Sequence, residues 1–459
     1  MSNLIASGRD DNWNRRGDGV GFLTPSRFDL TEEPVFGIFH LEITVSEPVD
    51  IPVFCAATGN YRFYLNARRL LRGAPCGDDR HCNVDRCELE LQPGVNHLWV
   101  EVWHCGRYRA LCQMARLCGW ALWCALPDSP FANRIDTGRA AWQTTPITGV
   151  KPIYNATDHI YTGMAMRITG ARRHFGRTKP ESVAGFAPAV RLNSQVTGIW
   201  QLRANPLPAM AETPLPGGTA RAADRGRRHA FGEPGDETLR QEGENFLAGK
   251  AWRISPRSRV RLLIDFGDYR CFYPAFAVSG GKGARIAVRS AESLFDRASR
   301  SYHKGDRNRI DGKYFHGVGD VYCAVGIPDG GYEAFHWFAG RYVLLEITTR
   351  DEPVELSRWQ LTATGYPLAA TGNFSPAGPD APAYDALKAL MLRTLKNCMH
   401  QTYMDCPYFE RLMYVGDTRL EVLVTYILSR DRQLPRHALL TFHDSLAGME
   451  LIKARYPSH

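Results

Sequence analysis

The chain has 459 residues, of which 44% are hydrophobic and 23% charged, and a formal net charge of +8. This balance supplies enough apolar material for folded cores and excludes a disordered chain. No run of about 18 apolar residues occurs, which excludes a membrane-spanning helix, and the length allows about three domains.

The chain opens Met1-Ser-Asn-Leu-Ile-Ala-Ser-Gly-Arg-Asp-Asp, without the apolar core of a secretory signal, so a cytoplasmic protein is expected. Twelve cysteines, eight of them between Cys55 and Cys124, then read as small buried hydrophobes rather than a disulfide framework. Cys76, His81, Cys82 and Cys87 come closest to a metal cluster. They contain no paired Cys-x-x-Cys spacing, so neither a metal nor another cofactor is expected.

From about Gly37 to Leu202 short strands alternate with turn signals. In Tyr61-Arg-Phe-Tyr-Leu-Asn-Ala, Phe63 and Leu65 alternate with polar neighbours. Gln92-Pro-Gly-Val-Asn turns into His97-Leu-Trp-Val-Glu-Val-Trp, which is aromatic and alternating. Residues 1–203 are therefore predicted to form an N-terminal antiparallel β-sandwich of lectin-like or accessory type. Residues 204–250, with Pro206, Pro208, Pro214, Pro216, Gly217 and Gly218 ahead of the basic run Arg221–Arg228, read as an exposed linker or inter-sheet excursion. The basic run lacks aromatic partners on folded structure, so no nucleic-acid partner is expected.

Strand texture returns at Val260-Arg-Leu-Leu-Ile-Asp-Phe-Gly and runs through Arg285-Ile-Ala-Val-Arg-Ser to the near-continuous apolar stretch from Phe335 to Ile347. Residues 251–370 thus read as a second β-sandwich. The period then switches. Tyr384, Leu387, Leu390, Met391, Leu395 and Cys398 recur at helical spacing, Leu420, Leu423, Val424, Ile427 and Leu428 repeat the pattern, and a third runs from about Gln433 to Ala454.

Asp405, Glu410 and Asp417 fall within thirteen residues, among Tyr, Met and Pro. Desolvation in such surroundings raises a carboxyl pKa, as a general acid requires, while a neighbouring carboxylate can stay ionised. Each also has a plainer reading. Asp417 reads equally as an N-cap, Glu410 as half of an ion pair with Arg411, and Asp405 as a turn initiator before Cys406-Pro407.

The segment resembles the acidic motif of glycoside hydrolase family 78, the α-L-rhamnosidases, through Asp405, Cys406, Pro407, Glu410, Arg411, Leu412, Tyr414, Gly416 and Asp417. Tyr61-Arg-Phe-Tyr-Leu-Asn-Ala, Leu263-Ile-Asp-Phe-Gly, Lys304-Gly-Asp-Arg-Asn and Trp337-Phe-Ala-Gly-Arg-Tyr resemble the sandwiches of such enzymes in order. The resemblance implies two antiparallel β-sandwich domains followed by the first helices of an incomplete (α/α)6 barrel, residues 371–459. It implies Glu410 as general acid, with Asp405, Arg411, Tyr414 and Asp417 binding rhamnose. Tyr414 stands where many relatives carry Trp, and Cys406 reads as a packed thiol.

The family inverts configuration, so a second carboxylate must activate water from the opposite face, roughly 6.5–9.5 Å from the acid. The resemblance implies that this base belongs to a later helix, so the chain reads as C-terminally truncated, with little hydrolysis of its own and exposed apolar helix faces after residue 384. The expected partners are rhamnose-containing oligosaccharides or glycosides, with no membrane; oligomeric state is not encoded in any pattern here. Two other readings stand beside this one: a non-catalytic carbohydrate-binding β-sandwich protein, and a six-hairpin glycosidase for another sugar.

Overall fold

The computed structural model describes residues 22–25, 33–73, 77–78, 80–112, 121–126, 129–153, 165–170, 185–192, 201–226, 230–232, 235–296, 303–328, 330–372, 377–446 and 450–458. They form two compact units, a mostly β assembly with few helices.

The first unit takes its described residues from 1–148, 174–209 and 433–459. It holds two six-stranded sheets. One runs Val190–Arg191, Leu23–Thr24, Leu122–Ala125, Val49–Ala57, His81–Leu91 and Gln201–Ala204; the other runs Ala187–Pro188, Gln143–Pro146, Val35–Val45, Gly94–His104, Asn60–Leu65 and Arg68–Gly73. Strand period two explains their common core. Ile51, Val53, Cys55 and Ala57 from the first sheet meet Tyr61, Phe63 and Leu65, with Leu98, Val100 and Val102, from the second, all buried. The predicted N-terminal sandwich is present. One pairing in it is parallel, Gln201–Ala204 against His81–Leu91.

In the second unit, from 149–173 and 210–432, the described strands all join one eleven-stranded sheet. Its spine is the long strand Arg259–Gly280. Its pairing with Phe338–Thr348 shifts register between Asp265 and Arg270; its first half also pairs Thr219–Asp224, and its second half Val354–Gly365 and Gly330–Glu333. A bulge of this kind bends and twists a strand. Val150–Ile153 and Ala165–Thr169 also belong here, the latter parallel to Val318–Cys323, so the boundary near residue 203 is not where the units part.

The linker reading of 204–250 is overturned. Ala211–Leu215 and Thr219–Asp224 are strands, and α1, Glu237–Leu247, follows them with Asp236 as its N-cap. Pro214 sits in a strand at the end of the sheet's pairing order, where its missing N–H costs nothing. Arg261 and Asp224 pair at 2.6 Å across the strands, and α1 packs Phe246 on Trp252 and Trp359. Arg221, at the head of the basic run, is in a strand; Arg227 and Arg228 lie outside the described residues.

Three helices follow: α2, Ala381–Asn397; α3, Val415–Leu428; and α4, Gln433–Asp444. The first two belong to the second unit and α4 to the first, so the predicted helical region 371–459 is shared between units. Within the first unit Arg203 pairs with Asp444 at 2.7 Å and α4 buries Leu434, His437, Ala438 and Phe442. Tyr384, Leu387, Leu390 and Met391 on α2 are exposed, as are Leu420, Leu423 and Ile427 on α3, which matches the expectation for these helix faces. No described helix is long and apolar enough to cross a membrane.

All ten described cysteines are free, five of them buried and five partly buried; Cys76 lies outside the described residues. Cys82 and Cys87 form no metal cluster with His81 among the described residues. His81 instead lies with Asp78 and Asp444, in a group whose ligand atoms fall within 4.8 Å of one another. The Asp78 carboxylate already accepts the His81 ring, at 2.9 Å, and the Arg80 and His81 N–H groups, and Arg203 occupies Asp444.

Candidate active site

The acidic loop is anchored on the sheet of the second unit. Tyr408 is buried, its hydroxyl donating to the Ser290 carbonyl at 2.9 Å and accepting the Val318 N–H at 3.2 Å. It shares a small apolar cluster with Cys271 and Ala339, flanked by Tyr269, Trp337 and Phe409. From the other side Asn397, the last residue of α2, donates to the Tyr269 carbonyl at 3.1 Å. The loop therefore has a rigid floor.

Inside the loop, polar groups close on one another. The Asp405 N–H donates to the Leu412 carbonyl and Asp405 Oδ1 accepts the Leu412 N–H, both at 2.9 Å. Asp405 Oδ2 accepts the Cys406 thiol at 3.0 Å. Both carboxylate oxygens of Asp405 are thus engaged in holding the loop. Burial raises its pKa, against the Cys406 and Leu412 donors, which lower it. Burial, and then the bond to Asp405, pushes the Cys406 thiol up to about 11. Iodoacetamide at pH 7.5 should accordingly label Cys406 much more slowly than a free thiol; labelling at the model-thiol rate would show an activated nucleophile instead.

Glu410 is partly exposed and Tyr414 donates to its Oε2 at 2.6 Å. Tyr414 is the residue before α3, in extended backbone at φ −87°, ψ 145°, and Asp417 lies in the helix's first turn. The N-cap reading of Asp417 is therefore corrected: Tyr414 holds that position. An exposed first-turn carboxylate still gains from the helix dipole. Arg411 has φ +56°, a left-handed conformation uncommon outside glycine. Its Nε donates to the Pro407 carbonyl at 2.9 Å and its guanidinium lies 3.5 Å from the centre of the Trp337 ring. Trp337 also carries the His400 ring stacked at 4.3 Å. Burial and the Arg411 charge hold that imidazole neutral, at about 3. Trp337, Arg411 and Tyr408 line a small open cleft of about 30 Å³ together with His336, Asp320 and Ser290.

The structure thus brings Asp405, Glu410, Arg411, Tyr414 and Asp417 onto one loop and one helix start. Two neighbours escaped the sequence reading. Trp337 lay in a segment read only as sandwich strand. Glu421 stands four residues after Asp417 within Leu420-Glu-Val-Leu-Val; a lone acid in an apolar helical run was its one signal.

No protein-family model and no curated protein matches this sequence. Solved structures do match. A family 78 rhamnosidase of Bacillus sp. GL1 superposes with TM-score 0.71 at 14% identity, over 96% of this chain and 65% of that one. An α-L-rhamnosidase from Aspergillus terreus gives 0.62 at 16% identity, over 98% of this chain and 47% of that one. One from Streptomyces avermitilis, complexed with L-rhamnose, gives 0.59 at 15% identity, over 93% and 38%. The chain thus has the fold of part of these α-L-rhamnosidases, spanning between 38% and 65% of their lengths.

Proposed function

We propose that this chain carries the acid half of an inverting α-L-rhamnosidase site, within the opening helices of an (α/α)6 barrel. The observation that supports it best is the closed acidic loop, with Tyr414 bonded to Glu410 at 2.6 Å and Asp417 one helical turn along, in a rhamnosidase-like fold. Glu410 gives its proton to the glycosidic oxygen as the bond to the anomeric carbon breaks; Tyr414 orients the carboxyl. Asp417 and Asp405 accept rhamnose hydroxyls, Asp405 also keeps the loop closed, and Arg411 pins it against Trp337. Inversion needs a base that takes a proton from water attacking the opposite face. Asp405, Glu410 and Asp417 all come from one short stretch, and none of them is assigned that role. Substrates are rhamnose-containing glycosides, with the aglycone unspecified.

Calorimetric titration with L-rhamnose tests the reading. Binding should weaken by roughly 10- to 100-fold in Asp417→Asn, the loss of a charge-assisted hydrogen bond, and persist in Glu410→Gln. Hydrolysis of an aryl α-L-rhamnoside should stay at background. Binding unaffected by Asp417→Asn but lost on changing sandwich aromatics would favour a carbohydrate-binding module, and Glu410-dependent turnover at rates of about 1–10³ per second would place a base on this chain.

A further inference from the structure

Glu421 has no place in the scheme above, yet it is the least usual carboxyl near the loop. It lies on α3 four residues after Asp417, so the two project from the same face one turn apart. Its Oε2 is sealed from solvent and has no hydrogen-bond partner among the described residues. Its backbone carbonyl accepts the Thr425 hydroxyl at 2.7 Å, and Thr425 in turn accepts from Tyr403 at 2.9 Å, fixing the turn that carries it. The titratable groups facing it are Asp417 on its own helix, Asp405 and Tyr403 in the loop, and Cys398 at the end of α2. No cation is among them. An anion there, with one oxygen sealed and unbonded, would set a charge beside two other carboxylates.

We propose that Glu421 is a positioning residue of the acidic site, its sealed and unbonded carboxyl oxygen standing one helical turn from Asp417 so that the charge it carries sets how Asp405 and Asp417 are held. This rests on the rhamnose-binding reading of the loop. Burial first, then Asp417 and Asp405, raise the Glu421 pKa to about 8, while the Met404 N–H works the other way. When Glu421 ionises, the repulsion it adds displaces the two carboxylates beside it.

The sign for stability follows. Between the usual glutamate value near 4.5 and about 8 the folded chain holds a proton that the unfolded chain has lost, so stability falls with rising pH across that window and levels off above it. Glu421→Gln imitates the neutral acid and removes the effect.

The test measures Tm from pH 5 to 9 and L-rhamnose affinity from pH 6 to 9 in the wild type, Glu421→Gln and Glu421→Ala. Glu421→Gln should match the wild type in Tm at pH 5, exceed it by several degrees at pH 8, bind L-rhamnose as tightly at pH 6.5, and lose the alkaline decline in affinity. Glu421→Ala should bind less tightly at every pH, because the space is no longer filled. A Tm gap between wild type and Glu421→Gln that does not grow with pH would overturn the proposal, as would a tenfold weaker affinity of a folded Glu421→Gln at pH 6.5. The Tm arm needs no ligand. A growing gap without rhamnose binding by the wild type would sink the rhamnose reading, and with it the role assigned to Glu421, while leaving its protonation intact.

Discussion

Glu101→Ala should lower the stability of the first unit by about 3–5 kcal/mol, the cost of stranding one member of a buried ion pair. Arg62 and Glu101 stand directly opposite on Asn60–Leu65 and Gly94–His104, with Nη1 3.3 Å from Oε2 and both side chains 1% exposed. The guanidinium also lies 5.3 Å from the centre of the Trp103 ring. Without the carboxylate the cation loses the Glu101 charge where water cannot replace it. The same reasoning makes the double change Arg62→Met, Glu101→Leu far milder than either single change, since it removes both desolvated charges. Urea unfolding followed by tryptophan fluorescence measures all three. A loss below about 1 kcal/mol for Glu101→Ala would match a solvated surface pair instead.

The second large effect is expected at Arg411. Arg411→Ala removes the bond to the Pro407 carbonyl and the contact with Trp337, together worth about 2–4 kcal/mol of local stability, and leaves alanine at φ +56°. Arg411→Gly loses the same contacts but not the backbone preference, so it should be the more stable of the two by roughly 1 kcal/mol. Both should weaken L-rhamnose binding by tenfold or more, because Asp405 and Glu410 sit on the loop that Arg411 pins. Native-state hydrogen exchange of the Leu412 N–H, bonded to Asp405 Oδ1, reads the loop directly. Unchanged protection in Arg411→Ala would show that the Asp405 bonds suffice alone.

The loop was legible because its chemistry is local. Asp405, Glu410 and Asp417 lie within thirteen residues, and their bonding partners Cys406, Leu412 and Tyr414 lie in the same stretch. The Asp417 cap was misread because capping depends on where the backbone turns helical, and it does so at Val415. Glu421 was missed for the opposite reason: the Asp405 charge and the Met404 N–H that act on it come from the loop ahead of its helix.

By itself the sequence determined periods and chemistry. Alternation in Asn60–Leu65 and Gly94–His104 marked strands, helical spacing marked α2 and α3, and the carboxylates among aromatics marked the candidate loop. Only tertiary structure decided partners. The proline-rich stretch 211–224 became sheet because Val354–Gly365 and Arg259–Gly280 offered it edges, and α4 joined the first unit through Arg203 and Asp444. Residues such as Arg203 and Asp444, 241 positions apart, leave no periodic trace in the chain. Side-chain period is a property of neighbours along a segment, whereas pairing and desolvation are set by whatever other segment arrives.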